Sequence, residues 1–150
     1  MAHPDLALLA HLLRRAGFGA TREELKQYAS RGYEATVEEL LHPKQTRPAL
    51  YDEDLVRRYH IGQNSLHLFG ECQAYWLYRM INTTHPLEEK MSLFWHQVFA
   101  TGVGKLNQPK AILMQIDKFR RLGLGSFEEL LVHVSEDPAM ILWLDNQDNH

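Results

Sequence analysis

Glu89, Ser92 and His96 lie in the stretch PLEEKMSLFWHQVFA, residues 86–100, three and four positions apart. In a helix such positions share a face, so a carboxylate, a hydroxyl and an imidazole would line up along one rigid rod. A carboxylate beside an imidazole favours the imidazolium and fixes its tautomer, which suits a general base. The chemistry expected of this face is proton abstraction or metal ligation by His96, with Glu89 as the group that orients it. The competing reading is a partly buried histidine bonded to a neighbouring helix at a polar edge, with no chemical role.

A second concentration of donors follows at the end of the chain. Asp145, Asn146, Asp148 and Asn149 place oxygen atoms close together, a composition suited to a hard divalent cation such as calcium or magnesium. Asp145, Asn146 and Asn149 are the expected metal ligands. Their spacing is not that of an EF-hand loop, and the alternative is a helix C-terminal turn in which Asx side chains satisfy local backbone groups.

Other motifs carry less. The nine histidines form no HExxH or comparable metal spacing. Gly102-Val103-Gly104-Lys105 has the residue types of a phosphate loop, but it follows a helix rather than a strand and lacks the full Walker pattern, so a helix-ending turn is expected. Cys72, the single cysteine, sits among Gln73, Ala74, Tyr75 and Trp76 in what looks like a packed helix, with no cation to activate the thiol. The aromatic series including Trp76, Phe94, Trp95, Phe99 and Trp143 could line a cleft, but core is the default for such residues.

The elements that position these residues are helical. Apolar residues recur at helical spacing from Pro4 to Arg15 and stop before Gly17 and Gly19. Thr21 with Glu24 forms a capping box, and Gly32 closes that second helix. Residues 35–42 read as a third helix, residues 43–53 as a loop and residues 54–60 as a short helix. Residues 65–82 read as a mostly buried helix in which Gly70 permits close approach. Pro86 opens the helix of His96, which Gly102 and Gly104 end. Pro109 starts the next, with Ile112, Leu113, Ile116, Phe119 and Leu122 on one face and Gly123 beyond it. Ser126 with Glu129 repeats the capping box, and Asp137-Pro138 caps a last short helix. No strand, repeat or low-complexity tract is visible.

Composition bounds the partners. The 150 residues, 45% hydrophobic and 23% charged, suit one globular domain that would bury roughly 70% of its extended-chain surface. A net charge of −3 and basic residues scattered as the doublets Arg14-Arg15, Arg57-Arg58 and Arg120-Arg121, each read as a solvated helix edge, argue against nucleic-acid binding. No apolar run is long enough to span a bilayer, and MAHPDLALLAHLL lacks the basic start of an export signal, so a cytoplasmic location is expected.

Three blocks resemble the bacterial family known as domain of unknown function 1800. They are HLLRRAGFGATREEL at residues 11–25, the segment 76–105 with PLEEKMSLFWHQVFATG and its following lysine, and SEDPAMILWLDNQDN at residues 135–149. The resemblance implies a largely helical fold and no agreed activity. Members are often exported and encoded near another uncharacterised family. The family's central helix usually reads histidine, any residue, histidine, phenylalanine. Here Val98 stands in the place of the second histidine, so a two-histidine site does not carry over. Members also usually run several hundred residues.

The expectation is an all-α protein, an orthogonal bundle of about seven helices over residues 1–150 as one domain, corresponding to the amino-terminal portion of the family's longer domain. Its role is expected to be a contribution to a polar, metal-assisted site through His96, Glu89 and the Asx segment, the cofactor being a divalent metal. A non-enzymatic helical binding or scaffold module is the alternative, and the residues leave open whether the protein is an enzyme. If the chain belongs to a longer one, apolar surface at its C-terminal end would favour self-association.

Overall fold

The computed structural model describes residues 4–43 and 69–148, and among these the fold is all-α. The helices are α1 (Pro4–Arg15), α2 (Arg22–Arg31), α3 (Tyr33–Leu41), α4 (Phe69–Asn82), α5 (Pro86–Phe99), α6 (Pro109–Leu122), α7 (Phe127–Ser135) and α8 (Pro138–Trp143), followed by a 3-10 turn at Asn146–Asp148. Of the loop expected at residues 43–53 all but residue 43 lies outside the described residues, as do the short helix at 54–60 and the start of the fourth helix at 65–68. No helix described is long and apolar enough to cross a membrane.

Local chemistry sets the boundaries. The Thr21 hydroxyl accepts from the Glu24 amide while the Glu24 carboxylate accepts from the Thr21 amide, so both halves of the capping box are made. Gly32, at φ 95°, ends α2 and starts α3 at once, which is why α3 begins at Tyr33 rather than Ala35. The helix of His96 stops earlier than Gly102. Ala100 takes the left-handed conformation, φ 43° and ψ 34°, and its amide donates to the His96 carbonyl. Gly123 ends α6 without a left-handed turn. A Cβ there would stand 2.7 Å from the Trp95 ring, so close packing explains this glycine. The close approach expected at Gly70 is not made by the described residues, none of which a Cβ there would meet within 4 Å.

At the centre is α6, packed against α4, α5, α7 and α8, and most extensively against α5. Its buried positions Ile112, Gln115, Ile116 and Phe119 recur at helical spacing. Ile112 and Ile116 pack with Leu106 and Ala139, while Phe119 packs with Leu130, Val134 and Met140. Two aromatic side chains of α5, Trp95 and Phe99, extend the second cluster, the Phe99 ring stacking on Phe119 at 5.6 Å. These contacts press α5 into the groove between α4 and α6, which places its polar face inside the protein.

Candidate functional site

Pro86 starts α5, and Glu88 and Glu89 occupy its first turn, where the helix dipole favours negative charge. Glu89 and Ser92, one turn apart, are both buried, at 1% and 0% exposure. The Ser92 hydroxyl donates to the Ile116 carbonyl of α6 at 2.9 Å. The Glu89 carboxylate accepts four hydrogen bonds: from Arg79 Nε of α4, from Arg120 Nε and Nη2 of α6, and from Trp76 Nε1 of α4. The bidentate grip of Arg120 is the strong geometry for a guanidinium and a carboxylate. Burial works against the Arg79 charge, yet the Tyr75 hydroxyl and the Glu89 carboxylate more than offset it and hold its pKa above the usual value. Glu89 thus ties three helices together.

His96 lies two turns further along the same helix. Its ring meets Trp76 edge to face, with centroids 5.2 Å apart and planes at 89°. Its Nδ1 is buried and has no hydrogen-bond partner among the described residues. Burial pushes the imidazole pKa down, so the ring is neutral at pH 7. The ring borders a cavity of about 150 Å³ that Cys72, Trp76, Thr101 and Ile112 also line. Two of the other polar groups there, Thr101 and Cys72, do not serve the imidazole. The Thr101 hydroxyl donates to Gln115 Oε1. The Cys72 thiol is held protonated by burial, reinforced by the neighbouring Glu71 carboxylate. The structure therefore places Glu89 and His96 on one helix without joining them, because the carboxylate goes to fully charged guanidinium groups rather than to the ring.

The Asx segment lies elsewhere. Asp145, exposed and left-handed at φ 58°, pairs with Lys105, whose ammonium also donates to the Trp143 carbonyl at 2.8 Å. The hydrogen bond from Lys105 is the main cause holding the Asp145 carboxyl below its ordinary pKa, with Gln147 adding to it. Asn146 is exposed and begins the 3-10 turn, which packs on α8, and Asn149 lies outside the described residues. No group of three or more His, Cys, Asp or Glu side chains among the described residues is placed to hold a metal ion. Lys105 of the glycine-rich turn closes the end of α8 and is not part of a phosphate loop.

Sequence reading missed the partners of Glu89. Arg120 and Arg121 were both expected at a solvated edge, but their side chains are 11% and 65% exposed. The signal was present: Ile112, Ile116 and residue 120 are four apart, so Arg120 continues the buried stripe. A second network was also missed. Asp137 caps α8 through the amides of Ala139 and Met140, and it accepts from Gln115 Nε2 at 3.0 Å and from Lys118 Nζ at 2.7 Å. The cap itself was legible, and its two long-range partners were not.

With this arrangement in view, the family model that matches is Protein of unknown function (DUF1800), over residues 11–150. The chain belongs to the DUF1800 family. No curated protein and no solved structure matches it. The match runs from α1 through the Asx turn, so in this DUF1800 member the Glu89 network, the His96 cavity and the Asp137 network all fall inside the family's sequence pattern.

Proposed function

We propose that this DUF1800 chain contributes one neutral imidazole, His96, to a polar site, as a general base or as a ligand through Nδ1. The observation that carries the reading is a buried Nδ1 with no partner among the described residues, beside a cavity where the Thr101 hydroxyl and the Trp76 indole are bonded elsewhere. A buried polar atom without a partner costs about 1–3 kcal/mol, a cost that a bound group would remove. Glu89 is a positioning residue in this reading: it acts by locking α5 between α4 and α6. Asp145, Asn146 and Asn149 enter as oxygen donors to a divalent cation, and Asp145 would have to leave Lys105 to do so. The test is His96→Gln in the intact gene product, read by metal content and co-purifying small molecules, with ring nitrogen NMR of the unaltered protein. The reading predicts loss of the bound species and an Nδ1 resonance that shifts when it is present. Unchanged metal and ligand content, with an unresponsive Nδ1, would overturn it.

A binding-module reading has its own support. Phe94 and Val98 on α5 and Phe127 and Leu131 on α7 are 42–56% exposed, with Trp95 stacked on Phe127 between them. Such a face suits contact with protein, including self-association. Val98→Glu with Phe127→Glu should then lower the sedimentation mass of any oligomer, and an unchanged mass would remove this support.

A further inference from the structure

A larger groove runs between α4 and α6, on the other side of the wall formed by Trp76, Leu113 and Ile116, which line both it and the His96 cavity. Its volume is about 560 Å³, within the roughly 300–1,000 Å³ range of small-molecule sites. Lys110, Met114, Asp117 and Arg121 follow one another along α6 at spacings of four, three and four, so they form one stripe roughly 16 Å long. The middle of the groove is apolar: Tyr75, Leu113 and Met114 line it, and Met114 is 58% exposed.

The charges sort unequally along this stripe. Lys118 is taken by Asp137, Arg120 by Glu89 and Asp117, and Arg121 by Asp117. Lys110, exposed at the other end, has no carboxylate partner among the described residues. One unmatched ammonium beside an apolar trough complements a molecule with a single negative group and a hydrocarbon body.

We propose that this groove binds a monoanionic amphiphile, an alkyl carboxylate, with the carboxylate on Lys110 and the chain along Tyr75, Leu113 and Met114. The site is independent of the His96 reading, since none of its proposed contacts involves the imidazole. The experiment titrates the full chain with decanoate below its micellar concentration, followed by calorimetry and amide NMR, with 1-decanol as the uncharged control. Decanoate should saturate one site, shift resonances of α4 and α6, and bind about tenfold tighter than decanol, as expected for one charge-assisted contact. Lys110→Glu should cost about the same factor, and Met114→Gln should weaken decanoate and decanol alike. Leu8→Ser, on α1 and outside the groove lining, should leave affinity within about twofold. Equal binding of decanol and decanoate, shifts centred on α5 and α7, or an unchanged affinity in Lys110→Glu would each overturn the proposal. The wild-type comparison of the two ligands does not depend on whether any variant folds.

Discussion

Glu89 and His96 stand on one helix within two turns of each other, and their surroundings are opposites. The carboxylate is sealed from water and receives four hydrogen bonds from two helices. The imidazole keeps a buried nitrogen with none among the described residues. A charge buried in this fold is retained only where its partners converge on it, as buried ions generally require. The neutral ring carries a smaller penalty and can be left open. The carboxylate expected to orient the imidazole is thus the group most committed to holding the helices, and the ring takes no part in that network.

Stability measurements can break or sharpen that contrast. The largest loss is expected for Glu89→Ala, which strands Arg79 and Arg120 without their carboxylate. Urea unfolding should show a loss of about 3–5 kcal/mol, and a loss below 1 kcal/mol would mean that water already shares the network. Asp137→Ala comes next, at about 2 kcal/mol in the same assay, because it removes a helix cap and the partner of Lys118 together. His96→Leu should be neutral or stabilising by up to about 1 kcal/mol, since it replaces an unsatisfied polar atom with apolar bulk. A large destabilisation there would show that the ring is a structural member after all.

The pH response separates the same two residues. The folded pKa of His96 lies below the ordinary 6.5, so the unfolded chain binds the proton more readily. Its contribution is complete above pH 6.5, falls as the pH drops from there toward the depressed folded value, and is then flat. His96→Gln should remove that part of the slope in a series of unfolding curves. The smallest effect belongs to Asp145→Ala: its ion pair with Lys105 is solvent-exposed, and thermal melting should show no resolvable change.

How much of this was legible follows from the range of the forces involved. Caps and turns are written within a few residues, so the N-caps Thr21, Ser126 and Asp137 read correctly, as did the opening prolines of α5 and α6, although at Ser126 only the serine half of the expected capping box is made. The end of α5 did not, because Ala100 accepts a left-handed backbone that residue type alone would assign to a glycine. At the site, helical spacing placed Glu89, Ser92 and His96 on one face. It carried no information about which neighbouring helix would deliver a guanidinium to that face. Arg79 is ten positions from Glu89 and Arg120 thirty-one, and only tertiary packing brings them together. Gly123 was readable as a helix stop but not as the notch that admits Trp95.

That notch belongs to a pattern with an optical consequence. The three indoles mark three different joints: Trp76 donates to Glu89 between α4 and α5, Trp95 donates to the Gly123 carbonyl at the end of α6, and Trp143 packs against Gly102 in the turn after α5. Replacing any two by phenylalanine leaves a single emitter fixed to one seam. Fluorescence from such a set can report, joint by joint, the order in which the bundle loosens.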